Sequence, residues 1–205
     1  MSEVGTPEGQ RDGAVGVPNG SHGLVIPLDP QRFPHVASSA WLAPGAVVVG
    51  DVTLGEDVSV WYNAVLRGDS DAVRVGPRSN LQDGVVVHTQ SGDPALIGAD
   101  VSVGHNAIIH GATVEDGCLI GMGATVLSGA TIGSGSLIAA GALVPQGVTV
   151  PPHTLFAGVP GRVVRELRPE ERAGVRENAE IYLRHTAHHA AATRELGAGN
   201  RDAEH

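Results

Sequence analysis

Residues 114–156 read VEDGCLIGMGATVLSGATIGSGSLIAAGALVPQGVTVPPHTLF, and an aliphatic or aromatic residue occupies every sixth position of this stretch. The recurring residues are Val114, Ile120, Val126, Ile132, Ile138, Val144, Val150 and Phe156. This period matches neither the 3.6-residue repeat of an α-helix nor the two-residue alternation of a β-strand. It is typical of a parallel β-helix, in which each hexapeptide supplies one short strand and one turn. We therefore predict an all-β core with three hexapeptides in each coil.

The same pattern extends towards the N-terminus with small changes of step. Its earlier members are Val49, Leu54, Val60, Leu66, Val75, Leu81, Val87, Ile97, Val103 and Ile109. Most steps are five or six residues, but nine residues separate Leu66 from Val75 and ten separate Val87 from Ile97. The two long steps predict inserted loops. The 18 positions from Val49 to Phe156 predict about six coils.

The chain outside these repeats divides into a leader, a helix and a tail. Residues 1–23 are polar and Gly-rich, so we expect a disordered leader before a β-helix domain at 24–164. Residues 165–196 are rich in Ala, Glu and Arg and predict a C-terminal α-helix on the outside of the coil. We expect residues 197–205 to be a disordered tail. The predicted helical face consists of Val175, Ala179, Tyr182 and Thr186.

Composition excludes several classes of protein. Lys and Arg number 13 and Asp and Glu number 22, a net charge of −9 that argues against nucleic-acid or anionic-membrane partners. The single cysteine, Cys118, excludes an internal disulfide and a Cys-rich zinc site, and we interpret it as a small buried or turn residue. No apolar run has the length of a membrane span or signal peptide, so we expect a cytoplasmic protein.

Two of the ten histidines fall at equivalent positions of consecutive coils. His88 follows Val87 and His110 follows Ile109, and these positions are three repeats apart, which is one full coil. The two side chains should therefore stack on one face, about 4.8 Å apart along the axis. Arg67 follows Leu66 and should lie one coil below His88. The spacing predicts a column of Arg67, His88 and His110.

A third histidine, His105, belongs near a corner of a different face, which it shares with Gln82. Within one chain it cannot easily reach the column, but in a trimer of triangular prisms a corner of one chain meets a face of the next. Three histidines with an open fourth position are typical of a catalytic zinc site. The alternative is a polar ladder of stacked histidines on an exposed face. We expect surface or capping roles for the other seven: His22, His35, His153, His185, His188, His189 and His205.

The segments SVWYNAVLRGDSDAVRVGPRSNLQDGVVVHTQ (59–90), IGADVSVGHNAIIHG (97–111) and LIGMGATVLSGATIG (119–133) resemble the γ-class carbonic anhydrase family. The resemblance runs from about residue 35 to 168. It implies a left-handed β-helix and a homotrimer with a metal at each subunit interface. His88 and His110 would be ligands from one subunit and His105 from its neighbour. By the same resemblance, the other site residues would be an interfacial pair (Arg67 and Asp69), a residue that holds the metal-bound water (Gln82), its polar neighbours (Asn80 and Asp83), and a tyrosine from the helix (Tyr182, near Asn178).

The implied activity is the reversible hydration of CO₂ to bicarbonate by a metal-bound hydroxide, with Zn²⁺ as the metal and Fe²⁺ or Co²⁺ as alternatives. One departure from the family pattern concerns proton transfer. A glutamate of the best-characterised type is replaced by Ser70, and the short insertion HTQSGDPAL holds a single acidic residue, Asp93. The chain therefore resembles a short-loop type that lacks the acidic shuttle loop.

Three other functions remain open from the sequence. The first is a metal-dependent acyl-CoA thioesterase that uses the same site. The second is a hexapeptide acyltransferase, which needs no metal and uses a histidine base. The third is a non-catalytic assembly subunit that keeps the fold and the metal.

Overall fold

The computed structural model describes residues 22–199, with side chains described as far as residue 194. The chain winds into a parallel coil whose strands stack on three faces, and a single long helix follows the coil. The predicted fold, a left-handed parallel β-helix of hexapeptide repeats with a C-terminal α-helix, is confirmed.

Most strands are two or three residues long, as one strand per hexapeptide requires. The first ten are β1 (Leu24–Ile26), β2 (His35–Val36), β3 (Trp41–Leu42), β4 (Val47–Leu54), β5 (Ser59–Val60), β6 (Val65–Val75), β7 (Asn80–Leu81), β8 (Val86–His88), β9 (Ala95–Ile97) and β10 (Ser102–Val103). The second ten are β11 (Ile108–His110), β12 (Thr113–Val114), β13 (Leu119–Ile120), β14 (Thr125–Val126), β15 (Thr131–Ile132), β16 (Leu137–Ile138), β17 (Leu143–Val144), β18 (Thr149–Val150), β19 (Thr154–Gly158) and β20 (Gly161–Glu166). The helix is α1 (Pro169–Gly199).

The three faces follow from the pairing order. The first face stacks β1, the start of β4, the start of β6, β8, β11, β14 and β17. The second stacks β3, β5, β7, β10, β13, β16 and β19. The third stacks β2, the end of β4, the end of β6, β9, β12, β15 and β18. From β7 to β19, strands three apart in sequence are therefore neighbours in space, and each residue lies above its counterpart in the previous turn.

One side chain per repeat points into the prism, and almost all of the predicted inward positions are buried. The prediction that Val49 points inward is wrong. The fully buried residue of this repeat is Val48, which pairs with Leu66 of the next coil. The three consecutive valines 47–49 made the inward residue ambiguous in sequence. Strands β1–β3 also add a coil before the first predicted repeat.

The nine-residue step from Leu66 to Val75 does hold extra residues, but they form a bulge within a strand rather than a separate loop, which corrects the prediction in part. Strand β6 is continuous over 11 residues and pairs with β8 at its start and with β9 at its end. Its pairing with β4 is interrupted at the corner between two faces: Gly50 pairs with Gly68 and Val52 with Val73, so residues 69–72 bulge out of the ladder. The second long step does hold a loop, residues 89–94, and Asp71 Oδ2 accepts a hydrogen bond of 3.0 Å from the amide of Gly92 in it.

Close stacking of the turns explains part of the glycine content. A Cβ at Gly121 would lie 2.4 Å from the backbone nitrogen of Ala140 in the next coil, so this position accepts no side chain without a backbone shift. Gly123 has open space around it but a φ of +65°, a conformation that glycine adopts without steric cost. The two positions require glycine for different reasons.

The helix begins and ends later than predicted. Residues 161–166 form β20, which runs antiparallel to β19, and α1 begins at Pro169 rather than at 165. Proline suits the first helical turn because its missing N–H has no partner to lose there. The helix continues to Gly199, three residues into the predicted tail. The rest of the predicted tail and nearly all of the predicted leader lie outside the described residues.

The buried face of α1 contains Val175 and Ala179, as predicted. Farther along, His189 packs against Trp61 with ring centroids 4.9 Å apart, and its Nδ1 lies 2.9 Å from the hydroxyl of Tyr62. His189 therefore anchors the helix to the second face, which corrects the expectation of a surface role. No helix in the described part of the chain is both long and apolar enough to cross a membrane.

Cys118 is fully buried, which confirms its interpretation as a small buried residue. Burial raises the pKa of its thiol to about 12. At pH 8 only about one thiol in 10⁴ is then ionised, whereas an unperturbed cysteine is ionised to a substantial fraction. We expect iodoacetamide to alkylate the native protein about 1,000-fold more slowly than the guanidinium-unfolded chain at pH 8. Mass spectrometry of timed samples measures both rates, and complete labelling of the native protein within minutes would contradict this burial.

Candidate metal centre

The predicted column of side chains is present on the first face. Arg67 pairs with His88, and His88 pairs with His110, in the strand register of β6, β8 and β11. His88 Nδ1 and His110 Nε2 face each other at 3.1 Å, and the ring centroids are 5.0 Å apart. The hydrogen-bonded ladder fixes this pair, because neither strand can slip without moving the buried Val87 and Ile109 off the core.

Asp69 holds His88 from the side opposite to His110. Its Oδ1 lies 2.9 Å from His88 Nε2, and its other oxygen forms an ion pair with Arg67. Partial burial raises the pKa of Asp69, but the hydrogen bond to His88 and the charge of Arg67 outweigh burial and hold the pKa below its usual value. Asp69 is therefore an ionised acceptor that orients His88. This contact lies within one chain, and the prediction of an interfacial Arg67–Asp69 pair did not include it.

Sequence reasoning missed Ser128. Its Oγ lies 2.9 Å from His110 Nδ1, and the residue is buried. Ser128 occurs 18 residues after His110, but the coil is 17 residues long here because Ile109 pairs with Val126, so counting repeats leads to Leu127 instead. Nothing in the residue type alone distinguishes it from the other turn serines.

His105 lies elsewhere, at the corner between the second and first faces. Asp83 stacks beneath it in the previous coil, with Oδ2 at 2.7 Å from His105 Nδ1. The hydroxyl of Tyr182 on α1 lies 3.3 Å from His105 Nε2. Burial and the nearby Asp83 raise the pKa of Tyr182. One turn earlier on the helix, the buried side-chain oxygen of Asn178 has no hydrogen-bond partner among the described residues.

Gln82 and Asn80 form a buried amide chain beside this corner. Gln82 Nε2 donates to Asn80 Oδ1 at 3.0 Å, and Asn80 Nδ2 donates to Ser102 Oγ at 2.9 Å. Both amides are buried, so each hydrogen bond restricts the rotation of a side chain that water cannot reach easily. The structure therefore groups the predicted residues into two sets: Arg67, Asp69, His88 and His110 on the first face, and Asn80, Gln82, Asp83, His105 and Tyr182 at the corner.

The histidine pair fits a transition-metal centre but does not complete one. Two imidazole ligands at 2.0–2.1 Å from a tetrahedral Zn²⁺ have nitrogens about 3.3 Å apart, close to the observed separation of 3.1 Å. Within residues 22–199, however, no group of three or more His, Cys, Asp or Glu side chains could hold a metal ion.

Comparison with known proteins agrees with the fold. Residues 111–146 match the family model "Bacterial transferase hexapeptide (six repeats)". The chain is 60% identical over 149 residues to a probable carbonic anhydrase of Methanocaldococcus jannaschii, covering 73% of this chain and 94% of that protein. It is 42% identical over 166 residues to the mitochondrial γ carbonic anhydrase 1 of Arabidopsis thaliana, covering 78% of this chain. The chain belongs to the γ-class carbonic anhydrase family.

Relatives in this family differ in length and in the names they carry. The chain spans 60% of the length of the Arabidopsis relative. Among solved structures, a putative acetyltransferase of Bacillus cereus superposes with a TM-score of 0.81 at 38% identity, covering 84% of this chain and 99% of that one. The γ-class fold is thus shared with proteins described as transferases.

The two positions at which the chain departs from the family pattern lie near the histidine pair. Ser70 donates a weak hydrogen bond of 3.4 Å to Asp69 Oδ1. Asp93, in the loop of residues 89–94, accepts a hydrogen bond of 2.7 Å from Gln90 within the same loop. Asp93 is thus held by its own loop rather than by the histidines.

Proposed function

We propose that this protein catalyses the reversible hydration of CO₂ to bicarbonate at a metal centre shared between two subunits of a homotrimer. His88 and His110 of one copy and His105 of the next copy would be the ligands. The observation that carries the proposal is the pair of ring nitrogens, His88 Nδ1 and His110 Nε2, that face each other at 3.1 Å while His105 is held apart on another corner. Kinship with proteins named carbonic anhydrase supports the reaction.

The donor set favours Zn²⁺, because imidazole nitrogens suit zinc and three of them leave an open position. Fe²⁺ and Co²⁺ accept the same ligands and remain alternatives. The chemistry that zinc would supply when held by these residues is hydroxide at neutral pH for addition to CO₂, since zinc coordination lowers the pKa of water to about 7.

The surrounding residues hold and orient the reacting groups. Asp69 fixes the ring of His88, and Asp83 fixes the ring of His105, each by accepting from one ring nitrogen so that the other nitrogen is left to bind. Gln82 would orient the attacking oxygen, since Asn80 Oδ1 accepts from its amide and Asn80 is itself held by Ser102. Arg67 would neutralise Asp69 and contact the neighbouring subunit, and Tyr182 would border the site from α1.

Exposed apolar side chains beside the histidines support a subunit contact on the first face. Val86 and Ile108, two residues before His88 and His110, pair across β8 and β11 and expose 38% and 39% of their surfaces. Covering them with a second copy removes this apolar surface from water. A corner of one prism set against this face would also bring a His105 towards the histidine pair.

Stopped-flow measurement of CO₂ hydration tests the proposal, with protein purified anaerobically and loaded with zinc or iron. We expect turnover above the uncatalysed rate in the metal-loaded protein and none after the metal is removed. The matched variants are His105→Ala, which should lose turnover, and His188→Ala, which removes an exposed histidine of α1 and should not. A protein with one metal per chain and no CO₂ turnover would overturn the proposed reaction. Assays with acyl-CoA substrates would then test the thioesterase and acyltransferase alternatives.

A further inference from the structure

A column of residues in the left-handed backbone conformation marks the corner between the third and second faces. From Arg78 upwards, the amide of each member donates at 2.8–3.0 Å to the carbonyl of the residue just before the member below. The members are Asp57, Arg78, Asp100, Gly117, Gly135 and His153, and their φ angles lie between +54° and +65°. Four of the six carry side chains, so this corner does not demand glycine for its backbone conformation.

The two glycines leave a gap in the column, and the gap opens into a cavity of about 350 Å³. A Cβ at Gly117 would meet nothing within 4 Å, because it would project into this space. At Gly135 a Cβ would lie 2.6 Å from Nδ1 of His153, whose ring lies across the glycine as the upper wall. Glycine at these two levels therefore makes room beside the corner.

Helix α1 forms the opposite wall with three charged residues spaced four apart, Arg172, Arg176 and Glu180. This spacing puts them in one row along the helix. The helix begins near the upper level, where the amide of Leu167 donates to the carbonyl of His153 at 2.7 Å. Glu180 lies near the lower level, since the hydrogen bond and charge of Asp100 and, more weakly, the charge of Glu180 raise the pKa of Arg78. The row thus runs from two cations above to one anion below.

The charges at the two ends of the cavity do not neutralise one another. At the lower end, Arg78 and Asp100 form an ion pair of 2.7 Å. The side chains of Arg176 and Glu180 form no hydrogen bond or ion pair with any described residue, although residues four apart on a helix are close enough to pair. Between the ends, Asp116 accepts from a backbone amide at 2.8 Å through Oδ1 and adds a second carboxylate. The cavity is therefore basic at its upper end and acidic below.

We propose that this cavity binds a small zwitterion, an ω-amino acid whose carboxylate contacts Arg172 and Arg176 and whose ammonium group contacts Glu180 and Asp116. The helix rises about 6 Å between Arg176 and Glu180, and the two charges of an extended four-carbon ω-amino acid are about 5 Å apart. An anion alone would leave Glu180 without a partner, and a cation alone would leave Arg176 without one. The corner lies opposite the first face, so the proposal does not depend on the metal centre.

Amide NMR titration of the full-length protein tests the proposal, in low-salt buffer so that the exposed charges are not screened. The probes are 4-aminobutyrate, butyrate and butylamine, of which the last two each carry one of the two charges. We expect 4-aminobutyrate to shift the signals of Gly117 and Gly135 and to bind at least about 10-fold more tightly than either single-charge probe, because each of those lacks a hydrogen bond to a charged group. Equal binding of butyrate would overturn the zwitterion, and unshifted glycine signals with all three probes would overturn the site.

Filling the cavity without removing a charge is the sharpest test by mutation. Asparagine tolerates the left-handed conformation, so Gly117→Asn should fold and should weaken 4-aminobutyrate binding by about 10-fold or more. The matched control is Gly147→Asn, the same change at a different corner, where the glycine has a φ of +70° and open space around it. Wild-type affinity in a folded Gly117→Asn protein, or equal loss in both variants, would overturn the proposal.

A second pair of variants tests the acidic end. Glu180→Gln should weaken binding of 4-aminobutyrate about 10-fold and leave that of butyrate unchanged or stronger, since only the ammonium group loses its partner. Glu177→Gln, at an exposed carboxylate outside the cavity, should change neither affinity. Equal affinities of Glu180→Gln and the wild type for 4-aminobutyrate would contradict the assigned orientation of the ligand and overturn the proposal.

Discussion

A mixture of two inactive variants should regain CO₂ hydration. His105→Ala chains keep the stacked histidine pair, and chains carrying both His88→Ala and His110→Ala keep His105. A homotrimer of either variant has no complete set of ligands, so each alone should be inactive. In mixed trimers, an interface at which the first chain supplies the pair and the second supplies His105 has all three ligands.

The size of the recovery follows from random assembly. In an equimolar mixture each complete interface requires one chain of each kind in a fixed order, so about a quarter of the sites should be restored. Co-refolding of the two variants, followed by stopped-flow assay and metal analysis, measures this fraction. Activity and bound zinc should both reach about a quarter of the wild-type value and should fall when either variant is in excess. No recovery in trimers shown to be mixed would exclude a site shared between subunits.

The stacked part of the site could be predicted from the sequence because the fold is periodic. Each buried aliphatic residue marks the position of its repeat, and hydrogen bonds between coils force equivalent positions into register. Counting three repeats from Val87 to Ile109 was therefore enough to place His110 over His88. The same reasoning separated His105 from the pair, and the structure holds it at another corner against Asp83.

The contacts that orient the histidines could not be predicted in this way. The register places backbones, but the rotamers of Asp69 and Ser128 decide which ring nitrogen each one meets. Periodicity also fails where a strand is long. In β4 and β6 the alternation of two replaces the period of six, so Val49 was taken for the inward residue and a bulge within a strand was taken for a loop.

Phe156 occupies the last predicted repeat position and closes the core. We expect Phe156→Ala to lower the stability of the protein more than any substitution on its surface. The side chain is 2% exposed and lies in register with Ile138 of the coil below. Its ring also covers Gly161 so closely that a Cβ there would lie 2.2 Å from the ring carbon Cε1. Truncating a buried phenylalanine to alanine costs about 3–5 kcal/mol, because apolar contacts are lost and a cavity remains.

The position of Phe156 in a solenoid also determines where the damage should appear. Each coil contacts only its neighbours, so stability is close to a sum of coil and interface contributions. We therefore expect Phe156→Ala to accelerate amide hydrogen exchange by about 100-fold or more in β16, β19 and β20, with a much smaller change around Trp41 and Trp61. Phe156→Leu should give a partial effect, and Val159→Ala, at a residue 71% exposed, should give almost none. Uniform acceleration of exchange along the whole coil would contradict this expectation. It would show that the β-helix opens as one cooperative unit, in which destabilising one end raises the exchange rate at the other end equally.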